Sequence, residues 1–303
     1  MHTWGRTLTL AGIHDPRLRD DYTRQRKLVS GYKRNAYIAV RLLLPPEIVP
    51  HVIAATAFMH HTDLLAEESS TDPAGGDDRF TVWEKEVRDG LAVGDSTHPV
   101  LRPLLHTASA HPGLREHAER FLAGAPMDRD FAGFADEAGY QRYVDGYSLP
   151  AFMLVACVVL SADADPEESR ALCRSYIDGS QRLDFVNDLA EDLGDGRLTL
   201  PEEILARYGV SRSDLERKRD TALSRALLRD LLEQSRRDLL ASRSLPELAP
   251  PAHRAFVRAF VALELLTNEA ALTKGGLVLR ESAGPSPRAA LGVLLREYRR
   301  RGR

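Results

Sequence analysis

QRLDFVNDLAEDLGDGRLTLPEE, residues 181–203, is the stretch on which the reading of this chain turns. Asp184, Asp188, Glu191 and Asp192 fall within about two helical turns, interleaved with Leu183, Phe185, Val186 and Leu189. Side chains four apart share a helix face, so Asp184 and Asp188 project together, and Glu191 and Asp192 continue that face with some rotation. Like charges at this spacing repel, so the helix is disfavoured unless something positive neutralises it. The pattern recurs in AFMHHTDLLAEE, residues 57–68, where Asp63 and Glu67 are again four apart and flanked by core-like residues. Taken singly, either pair also reads as a solvated acidic face. Taken together, two carboxylate pairs on two apolar helices predict divalent cations between facing helices, and hard oxygen ligands suit Mg²⁺.

Outward from these motifs, helical periodicity dominates and strand signals are scarce. The spacing of apolar residues predicts helices over 47–68, 114–123, 137–160, 167–193, 201–208, 212–240 and 252–273. Ser211 with Asp214 reads as a capping box, and Pro201-Glu202-Glu203 as a first turn. Clusters of Pro, Gly, Asp and Ser at 69–78, 161–168, 193–197, 245–253 and 281–288 separate the helices, with no linker long enough to divide domains. The expectation is one all-α domain over residues 1–303, with roughly ten helices and the apolar segment 151–160 deep inside.

Composition excludes several classes. The chain has 303 residues, a formal charge of −3 and a pI near 6.4. It shows no basic stripe with interleaved aromatics, so nucleic acid is not an expected partner. The run REYRRRGR, 296–303, reads as a solvated helix end. Cys157 and Cys173 form no CxxC pair, which excludes a disulfide framework or thiolate zinc site and suits a reducing cytoplasm. The first residues lack a signal-peptide layout. The longest apolar run, PAFMLVACVVLSA, stops short of the ~20 residues of a membrane span and predicts a core helix.

The second acidic stretch resembles the second acidic motif of the squalene/phytoene synthase family, in which a Gln opens an NxxxD or DxxxD helix followed by an ED pair and a "GR-x-x-LP" loop. KRNAYIAVRLLLPPE (33–47) is similar to that family's opening motif. The stretch 57–68 sits where its first acidic motif belongs, and YQRYVDGYSLPAF (140–152) resembles its "YCxYVAGxVG" helix. The resemblance covers roughly residues 30–210, in order. It implies an isoprenoid-synthase-type helical bundle around a central cavity. In that bundle Asp63, Glu67, Asp184 and Asp188 bind Mg²⁺ ions that grip an allylic prenyl diphosphate, with Glu191 or Asp192 supplementing them. It also implies anion contacts from Arg34 and Arg197, and it places Gln181 at the substrate. Cleaving the allylic C–O bond leaves a carbocation that needs apolar and aromatic walls. Phe58, Tyr37, Tyr143, Tyr147 and Phe185 are candidates for that wall or for ordinary core packing, and Tyr143 is also an expected catalytic residue.

Departures from the family pattern point to the acceptor. Leu64 replaces the second Asp of the first motif, Glu67 its closing Asp and His60 its preceding Arg, while Val49-Pro50 stand where an arginine pair is usual. Adjacent histidines diverge on a helix, so His60 and His61 read as wall or core residues rather than as one metal site. Fewer cations suit one diphosphate and a different acceptor, as in relatives of phytoene synthase that prenylate aromatics such as carbazoles. Asp145, at a position usually small and apolar, is then expected either to face the cavity as a catalytic base or to pair with an arginine of the bundle. Head-to-head condensation, terpene cyclisation and a non-enzymatic helical protein are the competing readings.

Overall fold

Helices begin where the sequence supplies a short acceptor or a proline. Thr3, Asp15, Asp136, Asp165, Ser211, Thr221 and Ser286 each accept a hydrogen bond from a first-turn backbone N–H. Pro16, Pro166 and Pro287 follow three of these caps, where the missing N–H has no helical partner to lose. The computed structural model describes residues 2–71 and 79–301.

The chain forms α1 (Trp4–Leu10), α2 (Pro16–Tyr32), α3 (Arg34–Leu43), α4 (Val49–Thr71), α5 (Arg79–Val93), α6 (Leu101–Ala110), α7 (Leu114–Arg129) and α8 (Glu137–Tyr143). A π turn, Val144–Ser148, leads into α9 (Leu149–Val159). Then follow α10 (Pro166–Asn187), α11 (Leu189–Gly194), α12 (Glu202–Tyr208), α13 (Arg212–Glu216), α14 (Ala222–Ala241), α15 (Arg254–Lys274) and α16 (Pro287–Arg300). No strand occurs among the described residues.

The all-α class is as expected, but helices are more numerous because several predicted ones are broken. The segment 167–193 breaks at Asp188, and 212–240 breaks around Lys218, whose φ is +52°. Of the turn expected at 69–78, α4 runs on through Thr71 and residues 72–78 lie outside the described residues. The capping box at Ser211 and Asp214 is formed.

Among the described residues four apolar regions make the core, the smallest of them Leu8, Ile13, Tyr22 and Ala54. One joins α2–α4 to α9, α10 and α15; one gathers α8 and α10–α15; one fills the space among α4–α7 and α9. Within α9, Leu154, Ala156, Val158 and Val159 are buried as expected, whereas Phe152, Met153 and Cys157 are only half-buried. The helical run Glu137–Val159 is long and apolar enough to cross a membrane by length and composition alone; half of its most apolar window is buried in the bundle.

Two glycines permit close approaches that set the geometry. A Cβ on Gly124 of α7 would collide with the Gly146 carbonyl, so only glycine lets α7 lie against the π turn. On α10, Gly179 lies against α14, where the Ser235 hydroxyl donates to the Gly179 carbonyl at 2.7 Å. Asn268 of α15 donates to Ser235 Oγ at 3.0 Å and to the Leu232 carbonyl at 2.9 Å, which ties the three helices together.

Replacing Gly179 with Ala would put a methyl 2.8 Å from the Ser235 carbonyl oxygen and 2.9 Å from Leu239 Cγ. Thermal denaturation should show a loss of about 1–3 kcal/mol for Gly179→Ala. Gly31→Ala on α2, where nothing lies within 4 Å, should leave the midpoint unchanged or raise it.

Candidate active site

A cleft of about 450 Å³ opens between the α4–α7 side of the bundle and the α8–α11 side. Asp63 and Glu67 of α4 and Asp128 of α7 reach it from one side. Asp184 of α10, Asp188 at the α10–α11 break and Asp192 of α11 reach it from the other. Both acidic motifs therefore face one hollow. Asp188 is still hydrogen-bonded through its N–H to the Asp184 carbonyl at 2.8 Å, so the four-residue relation survives the break. Beyond it, α11 turns Asp192 to the cleft, and Glu191 is exposed and absent from the lining. Gly196, at φ +77°, then reverses the chain so that the Arg197 N–H meets the Asp192 carbonyl at 2.7 Å.

Hydroxyl donors hold the acids in place. Tyr147 donates to Asp63 Oδ1 at 2.8 Å, Tyr143 to Asp128 Oδ1 at 2.8 Å, and Thr199 to Asp192 Oδ2 at 3.1 Å. Burial foremost holds both phenols neutral, well above their ordinary range, so they remain donors. Arg197 pairs with Asp128 at 3.0 Å and lies 4.9 Å over the Phe131 ring. Gln181, whose amide oxygen accepts from the Ser148 hydroxyl at 2.9 Å, lines the floor with Phe185.

The acids strain against neutral water chemistry. Burial raises Asp63 to about 7, with Asp128 and Glu67 adding repulsion against the lowering effect of the Tyr147 bond. Asp184 opens onto the cleft yet is densely enclosed by protein. Enclosure first, and Asp188 second, raise its pKa against the pull of Lys33. Glu67, Asp188 and Asp192 are also raised, burial leading in each case.

The structure gathers Asp63, Glu67, Asp184, Asp188, Asp192, Tyr143, Tyr147, Phe185 and Gln181 around this cleft, with Arg197 at its edge. It does not bring the other predicted residues there. Arg34 is exposed on α3, and the neighbouring Lys33 is the cation that acts on Asp184 and Asp188. Tyr37 packs against the apolar core, and Phe58 is fully buried against Trp83 and Phe121. Asp145 points to a separate groove, and Arg174 binds it at 2.8 Å. Arg174 also pairs with Asp178 at 2.8 Å, so the bundle-arginine reading of Asp145 is the one the fold adopts. His60 stacks on Tyr32 at 3.8 Å at the cleft, while His61 packs edge-on to Trp83.

Two acids escaped the reading of the sequence although a signal for each was present. Asp128 continues the buried α7 stripe of Leu114, Ala118, Phe121 and Ala125 at the same four-three spacing. Glu264 likewise occupies a core position of α15 between Val261 and Asn268; burial first, and Asp184 second, raise its pKa. A carboxylate on an apolar stripe is the mark that both share.

The donors are all oxygen, the chemistry that Mg²⁺ takes. Among the described residues no three His, Cys, Asp or Glu side chains stand close enough to enclose an ion by themselves.

A family model described as squalene/phytoene synthase matches residues 29–284. The chain is 27% identical over 218 residues to the bifunctional protein CrtB/UppS of Streptomyces coelicolor, a match that covers 70% of this chain and 37% of that protein. It thus spans little more than a third of that relative's length. Among solved structures the fold is similar to squalene synthase HpnC from Alicyclobacillus acidocaldarius, with TM-score 0.73, 22% identity, and 87% of this chain and 96% of that one covered. It is also similar to a dehydrosqualene synthase in complex with ligand, with TM-score 0.80, 17% identity, and 93% and 97% covered.

Because Asp63 binds its proton more tightly folded than unfolded, its contribution to stability is lost as pH rises between the ordinary carboxylate range and about 7. In EDTA the melting temperature should therefore fall over that window. Asp63→Asn should flatten the slope and melt higher than the parent at pH 8, and a slope unchanged by the substitution would contradict this account.

Proposed function

Because the chain belongs to the squalene/phytoene synthase family, a family of prenyltransferases, we propose that it ionises an allylic prenyl diphosphate in the acidic cleft. It then transfers the prenyl group to a neutral aromatic small molecule and releases pyrophosphate. The observation that carries this reading is the convergence of Asp63 and Glu67 with Asp184 and Asp188 on one hollow.

Asp63, Glu67, Asp184, Asp188 and Asp192 would hold Mg²⁺. When bound, the metal supplies Lewis-acid stabilisation of the departing diphosphate. Lys33 and Arg197 add fixed positive charge at the rim, aimed where negative charge develops. Tyr147 and Tyr143 keep Asp63 and Asp128 oriented through their hydroxyls. Phe185 and Tyr143, with ring centroids 5.8 Å apart, offer π faces to the allylic cation and exclude water from it. Cys157, half-buried, and Cys173, buried, are free thiols away from the cleft lining.

Among the described residues only Lys33 and Arg197 bring positive charge to the rim of the cleft, a supply that suits one diphosphate better than two. Asp145, held by Arg174, is not available as the acceptor's base, so the acceptor's proton leaves by another route. The second reading is head-to-head condensation of two prenyl diphosphates. It draws on the names of the similar proteins, a squalene synthase and a dehydrosqualene synthase.

Purified protein with Mg²⁺ and each of the C5 to C20 allylic diphosphates separates these readings. Pyrophosphate released only when an indole or carbazole is added supports aromatic prenylation, and a hydrocarbon from a diphosphate alone supports condensation or cyclisation. Asp184→Asn and Asp188→Asn should each slow release by about 10²–10³-fold without lowering the melting temperature. Absence of release with every substrate would overturn prenyl diphosphate chemistry here.

A further inference from the structure

Helix α16 has one face that the bundle uses and one that it leaves outside. The inner face packs on α15 and α3 through Val293 and Glu297, both buried. The Glu297 carboxylate, 2% exposed, takes Arg258 of α15 at 2.7 Å, Arg300 at 3.0 Å and Arg296 at 3.4 Å. On that side one carboxylate is thus shared by three arginines.

The outer face is different. Leu291, Leu295 and Tyr298 are 54%, 42% and 49% exposed, and their spacing places them on one stripe, with Tyr298 at its margin beside the groove of His2, Arg41 and Leu42. Arg288, one turn before Leu291, and Arg299, one turn after Leu295, lie along the same side. Neither arginine enters an ion pair among the described residues, and the single acid of α16 is the buried Glu297. From Arg288 to Arg301 the helix and its C-cap residue hold five arginines against that one glutamate, in a chain whose formal charge is −3. Positive charge is thus concentrated on one helix and interleaved with exposed large apolar side chains.

We propose that the outer face of α16 docks on an anionic lipid bilayer. Leu291, Leu295 and Tyr298 enter at the headgroup level, while Arg288 and Arg299 extend their stems along the apolar boundary and place their guanidiniums on lipid phosphates. A second copy of the chain fits this face poorly. A two-fold contact would set Arg288 and Arg299 of one protomer near their equivalents, with no carboxylate on the face to pair them. The narrow apolar stripe with flanking arginines instead has the layout of a helix lying in the membrane plane, held by buried apolar area and by attraction to negative headgroups. Residues of α16 do not line the acidic cleft, so docking leaves its chemistry untouched.

Co-sedimentation with vesicles tests this, using the full chain with phosphatidylcholine alone and with phosphatidylcholine and phosphatidylglycerol at about three to one. The protein should pellet with the anionic vesicles and not the neutral ones, and added salt should release it. Arg288→Ser with Arg299→Ser should weaken binding on the order of thirtyfold. Leu291→Ser with Leu295→Ser should weaken it as well, and both pairs should keep the parent's melting curve. Parent protein that stays in the supernatant with anionic vesicles at low salt overturns the assignment, as do variants that bind like the parent. A concentration-dependent dimer in light scattering that the same substitutions disperse would also overturn it, because a second copy would then cover the face.

Discussion

Six carboxylates around one hollow repel one another, and holding them there is the constraint on which the rest of the structure depends. Asp63, Glu67 and Asp128 approach from one side and Asp184, Asp188 and Asp192 from the other. Left to electrostatics, helices bearing these side chains would separate. They are held by apolar packing behind them: Val186, Leu183 and Leu189 beneath the second motif, Ala66 and Phe58 beneath the first. The hydrophobic term is non-directional and large, so it can force together groups whose own interaction is unfavourable. The raised pKa values of Asp63 and Asp184 register that conflict.

Within the cleft the conflict is partly relieved by hydrogen bonds. Tyr147, Tyr143 and Thr199 each give a hydroxyl to a different acid, and Arg197 joins Tyr143 at Asp128. These donors orient the carboxylates without cancelling their charge, which leaves the site receptive to cations. The π turn matters here. It sits between Tyr143 and Ser148, and the glycine contact at Gly124 brings α7 close enough for Asp128 to reach Tyr143.

Helix α10 couples the site to the scaffold. One side packs through Gly179 on α14; another bears Arg174 and Arg182, which bind Asp145, Asp178 and Glu137; the cleft side bears Asp184. Arg182 is 2% exposed and its guanidinium lies 4.2 Å from the Tyr140 ring, so this ion network is part of the interior. Breaking such a buried pair leaves an uncompensated charge, and that keeps α8 and the π turn in register with α10. Asp145 is the more exposed end of this network, paired with Arg174 at 2.8 Å.

Local pattern was enough to determine the all-α class, the two acidic helices and their shared direction, because four-residue spacing fixes which side chains lie together on a helix. Motif order added the family resemblance and, with it, Arg197, Gln181, Tyr143, Tyr147 and Phe185. Tertiary structure alone decided which of the remaining polar residues meet. Nothing local to Asp145 says that Arg174, 29 residues away, will claim it. Nor does the local sequence around Lys33 and Arg34 say which of the two faces Asp184. Asp128 and Glu264 were marked by sitting on apolar stripes, but a stripe shows only that a residue is buried. What it is buried against depends on helices joined by loops and brought together by packing, an arrangement that periodicity along one helix does not encode.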